Sequence, residues 1–201
     1  DESFEHMVFR GMVYISLPTE YGTLYSLAGL EAISEACRKW QIPLFVDGAR
    51  LGYGLASEEC DVTLADLARL CDVFYIGGTK VGALFGEAVV IRKGLVPRMF
   101  TIIKQQGALL AKGWLLGLQF DTLFTDGLYL KIAAHAVAEA KRLREALEAK
   151  GYRNYYLSPT NQIFLLLTPE ELERVKQVVT YTEWERLDDG QTVIRLATSW
   201  A

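Results

Sequence analysis

The chain has 201 residues, 51% of them hydrophobic and 23% charged, with a formal net charge of −4 and a pI near 5.3. That make-up suits one globular domain, or one domain with a smaller lobe, and its acidic balance speaks against a nucleic-acid backbone or an anionic membrane as main partner. No apolar run approaches the roughly 18 residues of a membrane span, nothing at the start reads as a signal peptide, and three cysteines without metal-type spacing (Cys37, Cys60, Cys71) read as free thiols of a reducing cytosol.

Residues 11–16 read as a strand, closed by the turn Leu17-Pro18-Thr19-Glu20-Tyr21-Gly22. A helix follows, with Ser26 as N-cap and apolar positions at Leu27, Leu30, Ile33, Cys37 and Trp40. The apolar run 42–46 is a buried strand ending at Asp47, and short connections around the helix imply parallel strands with a right-handed crossover. Thr63 caps a second helix over 64–70, which leads to a strand over 73–76 and a further strand over 87–92. Residues 95–151 are mostly helical, broken near Gly107, Gly113 and Gly127; the last helix carries the stripe Leu128, Ile132, Ala136, Ala140, Leu143, Leu147, with Gly151 just past its end. Beyond residue 152 the pattern returns to a strand over 162–167, a helix over 169–179 opened by Pro169, and strands over 181–187 and 192–198 around the hairpin signal Asp188-Asp189-Gly190-Gln191. The reading divides the chain into a large α/β domain (1–125), a connecting helix (126–151) and a small α+β domain (152–201).

Two stretches carry the chemistry: Val46-Asp47-Gly48-Ala49-Arg50 and Ile76-Gly77-Gly78-Thr79-Lys80. Each follows an apolar strand, so a carboxylate, an arginine and a lysine emerge where open α/β sheets bind ligands, beyond the carboxyl ends of the strands. Lys80 sits among Gly77, Gly78 and Gly82, which let backbone approach a bulky ligand. It is not a phosphate-loop lysine, because that motif needs glycine directly before the lysine. Taken alone, Lys80 also fits a solvated loop lysine, and Asp47 a loop or capping carboxylate. Arg195, between Ile194 and Leu196, faces the opposite side of its strand from them, as a surface arginine would too.

An aspartate ending one strand, a helix, and a lysine ending the next resembles the core of fold type I pyridoxal-phosphate enzymes. The Asp-Gly-Ala-Arg wording at 47–50 is most similar to low-specificity threonine aldolases and their β-eliminating-lyase relatives. The resemblance runs over nearly the whole chain. It implies an α/β large domain with a mainly parallel sheet plus a small α+β domain, and pyridoxal phosphate as cofactor. In it, Lys80 holds the cofactor as an imine, Asp47 keeps the pyridine nitrogen charged, Ala49 lies against the ring, Thr79 meets the phosphate and Thr19 the ring oxygen. Arg50 and Arg195 grip the substrate carboxylate in a fork that lysine cannot reproduce, and the small domain reaches the site through Arg195.

The activity so implied is retro-aldol cleavage of a β-hydroxy-α-amino acid to glycine and an aldehyde, by a cytoplasmic homo-oligomer acting on a small amino acid. The same core also supports β-elimination, transamination and desulfuration. Thr19-Glu20 stand where the family carries an Asn- or His-containing stretch, which leaves Glu20 open as a structural residue or a base. Lys104 resembles a basic residue near the phosphate or the dimer interface, or a solvated helix lysine; Asn161-Gln162 read as turn chemistry, and His6 and His135 as lone histidines outside catalysis. The family's glycine-rich phosphate loop and ring-covering aromatic would precede Asp1. Neither is recognisable, so the chain reads as a piece of a longer polypeptide, and a piece unable to hold the cofactor is the competing expectation.

Overall fold

The computed structural model describes Val8 and residues 10–201; His6 lies outside the described residues. The first sheet is built from β1 (Val13–Ser16), β2 (Leu44–Asp47), β3 (Val73–Ile76) and β4 (Ala88–Ile91), in that order. The first three strands are parallel and β4 runs antiparallel to β3.

The crossover helices form where sequence supplies their caps. Ser26 accepts from the Gly29 N–H at 3.1 Å to open α1 (Leu27–Lys39), and Thr63 with Asp66 makes a reciprocal capping box for α3 (Leu64–Leu70). Leu30 and Cys37 of α1 and Leu67 and Leu70 of α3 bury against Leu44, Val46 and Phe74 of the sheet. Strand alternation puts Phe45 and Asp47 on the other face. There Tyr14, Phe45 and Tyr75 form an aromatic row across three strands, with centroids 5.2 and 5.0 Å apart. Trp40, expected on the apolar stripe of α1, is instead an exposed residue at its end, with Arg10 and Lys39 over its ring. A short helix, α2 (Leu51–Leu55), was not anticipated: two glycines in five residues hide it from propensity.

After α4 (Met99–Gln105), α5 (Trp114–Phe124) and a 3₁₀ turn (Thr125–Gly127), the long α6 (Leu128–Ala149) runs between the two sheets. Its buried face is Tyr129, Ala133, Ala136 and Ala140, whereas Leu128 and Leu143 of the expected stripe are exposed. Close packing explains the correction. A Cβ on Gly52 of α2 would stand 3.0 Å from the Tyr129 ring, so α6 meets α2 through its small residues and one tyrosine rather than its leucines.

The second sheet contains β5 (Arg153–Tyr156), β6 (Gln162–Leu167), β7 (Thr182–Arg186) and β8 (Thr192–Ala197), antiparallel in the order β5-β6-β8-β7. α7 (Pro169–Lys176) has a capping box from Thr168 and Glu171 and stops short of the expected residue 179. Ile163, Leu165 and Leu167 bury against Ala140 and Ile194, each such aliphatic side chain contributing about 1.5–3 kcal/mol. Phe164 points the other way, into an aromatic group with Tyr156 and Trp184. The first-sheet turn after β1 plugs into that group: the Tyr21 ring lies 4.7 Å from Tyr156 and 5.6 Å from Trp184. Among the described residues no helix is long and apolar enough to cross a membrane.

Candidate active site

Three strand ends converge on the site. At the end of β2, Asp47 is half-buried. Its Oδ1 accepts from the Ala49 N–H at 2.9 Å and its Oδ2 from the Tyr14 hydroxyl. The bond to Asp47, then burial and the Asp47 charge, push the Tyr14 hydroxyl up to about 12. Two donors leave capacity on this carboxylate, which offers about four lone-pair positions.

The end of β3 lies directly against that turn. The Gly77 N–H donates to Gly48 O at 2.9 Å, and a Cβ at Gly77 would fall 2.3 Å from Ala49 O. Only glycine allows this approach, and it locks the turn that follows Asp47 against the start of the loop that carries Lys80. The loop is then bolted from below. The buried Tyr129 hydroxyl donates to Gly77 O at 2.8 Å and accepts from the Gly52 N–H at 3.1 Å, and the Tyr53 hydroxyl donates to Lys80 O. Burial raises both tyrosine hydroxyls above their ordinary value, Tyr129 by the larger amount. Glu87 grips the loop from β4's side, Oε2 accepting from the Gly78 N–H at 2.6 Å and Oε1 from the Thr79 hydroxyl at 2.8 Å. Lys80 stands exposed on the loop.

At the end of β1 the turn brings in Glu20. Arg50 Nη1 donates to its Oε1 at 3.2 Å, and Arg195 Nη1 lies 4.0 Å from its Oε2. The two arginines, Arg50 at the start of α2 and Arg195 on β8, thus meet over a single carboxylate. Arg195 lies 4.8 Å over the Trp184 ring and donates to Gln162 Oε1 at 3.3 Å. Burial first, then the Arg50 charge, lower its guanidinium, and Glu20 opposes them. Gln162, the first residue of the strand expected over 162–167, is buried, and its Nε2 also donates to Glu20 O at 3.4 Å.

The turn of Asp47, Ala49 and Arg50 touches the start of the loop of Lys80, and Glu20 links Arg50 to Arg195. Both threonine hydroxyls have partners within the protein. The Thr19 hydroxyl lies 2.6 Å from that of Thr23 within its own turn, and the Thr79 hydroxyl is held by Glu87. Lys104 lies in the last turn of α4, and His135 is exposed on α6. Tyr14, Tyr53, Glu87 and Tyr129 were not anticipated. The one signal that could have flagged Tyr129 is its spacing of four, seven and eleven residues from Ala133, Ala136 and Ala140.

This donor set suits pyridoxal phosphate at its ring and carbonyl: an exposed amine, a carboxylate with spare acceptor capacity, a small residue between them and a fork for an anion. The Glu87 carboxylate, 2.8 Å from the Thr79 hydroxyl, adds a negative charge beside that residue. Among the described residues no cluster of His, Cys, Asp and Glu could hold a metal ion.

A model of the β-eliminating lyase family matches residues 1–168. A low specificity L-threonine aldolase of a Pseudomonas species is 30% identical over 167 residues, covering 82% of this chain and 48% of the relative. A threonine aldolase of Leishmania major has a solved structure that aligns with a TM-score of 0.93 and 46% identity, over 98% of this chain and 58% of that one. An aspartate aminotransferase variant of Thermus thermophilus, at 14% identity and a TM-score of 0.66 over 94% of this chain and 53% of its own, shares the fold alone. The architecture is therefore that of fold type I enzymes, and the chain spans about half the length of the curated relatives it matches.

Proposed function

The chain belongs to the β-eliminating lyase family, and we propose that the protein carrying it cleaves a β-hydroxy-α-amino acid of the threonine type to glycine and an aldehyde. The observation that carries this reading is the convergence of Arg50 and Arg195 on one carboxylate beside the touching turns of Asp47 and Lys80.

Pyridoxal phosphate, the cofactor of that family, supplies when bound an electron sink for the carbon whose bond is broken. Lys80 would hold it by its amine, Asp47 by the ring nitrogen, and Ala49 along one face of the ring. The chain's own part is orientation and charge. Arg50 and Arg195 fix the substrate carboxylate from two sides, which sets the substrate's rotation and so decides which bond at the α-carbon is aligned to break. The Asp47 charge is held in place by Tyr14 and the Ala49 N–H, where it stabilises positive charge on a ring nitrogen without reorganising during the reaction. Tyr53, Tyr129 and Glu87 fix the backbone from which the Lys80 side chain leaves, so its amine moves on its own stem while the loop stays still.

A homo-oligomer fits the exposed apolar side chains Phe100 of α4, Leu110 of the following loop, and Trp114 and Leu118 of α5, since exposed apolar surface is a mark of interfaces. Three free thiols suit a reducing cytoplasm.

Incubation of the intact protein with threonine, cysteine, tryptophan, and alanine plus a keto acid tests the reaction. Glycine and acetaldehyde from threonine are expected; product from another substrate in place of threonine would refute the aldol assignment. Borohydride should fix the cofactor on the peptide containing Thr79-Lys80-Val81, and label on Lys93, Lys104 or Lys112 would overturn Lys80.

A further inference from the structure

Burial around the Arg50–Glu20–Arg195 contact is lopsided. The Arg50 and Arg195 side chains are 16% and 20% exposed, while that of Glu20 is 60% exposed. The cations are also held from behind: Arg195 by Trp184 and Gln162, Arg50 by its place at the start of α2. The anion is the movable partner. Its backbone is fixed even so, because Gln162 binds Glu20 O, Tyr21 is set among aromatic rings, and Gly22, at φ +75°, packs so tightly on Ser158 that a Cβ would lie 2.0 Å from Oγ. Only the glutamate side chain can leave.

We propose that Glu20 is an internal stand-in for the substrate's carboxylate: it takes the anion position between Arg50 and Arg195 and is displaced by the carboxylate of an incoming amino acid. This rests on the two arginines being the carboxylate grip, and adds the residue that sets how strongly that grip takes an anion. Two guanidinium groups facing each other repel, so the pair needs an anion to remain together. Glu20 supplies one on a tether, keeps the arginines preorganised, and makes any carboxylate compete for them. A free monocarboxylate with no further contacts is thereby disfavoured, and a substrate anchored also through its amine is not. Displacement frees the Glu20 carboxylate beside the bound substrate, on a turn that has not moved.

The test is calorimetric titration of sodium acetate into the intact protein, with acetamide as the uncharged control. Glu20→Gln removes the competitor and keeps its size, so acetate should bind about tenfold tighter, a factor corresponding to about 1.4 kcal/mol; unchanged or weaker binding overturns the proposal. Glu20→Asp keeps the charge but is a methylene short of spanning two guanidiniums, one of which already lies at 4.0 Å. It should tighten acetate binding to a lesser degree, and an affinity equal to wild type would reduce Glu20 to a nearby charge and sink the idea. Arg50→Lys and Arg195→Lys, each in the Glu20→Gln background, separate this from the reading beneath it. If acetate binding ignores both, the carboxylate grip itself is wrong. If both weaken it while Glu20→Gln alone gains nothing, the grip stands and only the stand-in role fails.

Discussion

Tyr129→Phe removes one oxygen from the least accessible part of the molecule, and its cost can be worked from the contacts. The hydroxyl donates to Gly77 O at 2.8 Å and accepts from the Gly52 N–H at 3.1 Å, and the residue is 1% exposed. The ring remains, with its stacking on Phe124 at 5.4 Å, so packing loss is small. What changes is that a buried carbonyl and a buried N–H lose their partner. Each group left unsatisfied costs about 1–3 kcal/mol, and glycine backbone at both positions lets the loop relax a little, so a total of about 2–4 kcal/mol is expected. For a chain of this size each kcal/mol lowers Tm by about 2–4 °C, giving a fall between about 4 and 16 °C. Urea unfolding followed by tryptophan fluorescence measures the free energy, and cofactor retention on a desalting column reports the Lys80 loop. Tyr53→Phe is the internal comparison: it loses one bond, to Lys80 O, and should cost about 1 kcal/mol. A Tyr129→Phe protein within about 0.5 kcal/mol of wild type, a change typical of uninvolved surface positions, would refute the view that this hydroxyl bolts the loop.

Two further outcomes follow from the strand ends. Asp47→Asn should bring the Tyr14 hydroxyl down from about 12 toward its ordinary 10, because the bond to Asp47 is the largest cause of the shift; ultraviolet titration of tyrosine reads this, with Tyr14→Phe identifying the band. A raised acid favours the folded state below its unfolded value, so Tyr14's contribution should be complete below pH 10 and disappear as pH climbs toward about 12, and a stability profile for Asp47→Asn parallel to wild type across that window would contradict the assignment. Gly77→Ala would set a Cβ 2.3 Å from Ala49 O and 2.6 Å from Gly48 O, both backbone. It should cost at least the 1–3 kcal/mol or so of overpacking and lower cofactor retention, and a neutral result would mean the two turns are not locked together.

The positions of Asp47, Arg50 and Lys80 at or just past strand ends were legible because that signal is local: a short apolar run announces a strand, and the residues after it sit at the strand's carboxyl end whatever the rest of the chain does. α2 and the Tyr129 face were not legible for the opposite reason. Gly52 and Gly54 have poor helix propensity, and α2 exists because Leu51 and Tyr53 are buried and Tyr129 accepts the Gly52 N–H. On α6 the leucines drew attention by size, whereas the packing distance to α2 selects alanine. The hydroxyls of Thr19 and Thr79 bond Thr23 and Glu87, pairings that residue type and place in the sequence do not announce. No pattern in the sequence could pair Glu20 with Arg195, because that contact depends on how the two sheets are set against each other.

That relative setting bears on how the site works. From sequence, the small domain reached the site through Arg195, which would make substrate binding and domain orientation a single event. The contacts divide the two tasks. Orientation rests on apolar and backbone contacts: Tyr21 among Tyr156, Phe164 and Trp184, Gly22 against Ser158, and the Thr198 hydroxyl on Ala136 O at 2.6 Å. None of these depends on charge. The Arg50–Glu20–Arg195 contact is ionic and half open to water, where a pair contributes little to stability. If a carboxylate displaces Glu20 as proposed, the two sheets should keep their arrangement, and the arginines would meet the new anion in the geometry they already hold. Had the domains been joined mainly by the ion pairs, displacing Glu20 would have loosened the frame that aligns the substrate. With the aromatic contact on Tyr21 and the ionic one on Glu20, a single turn would clamp the two sheets and still yield to a carboxylate under the proposal.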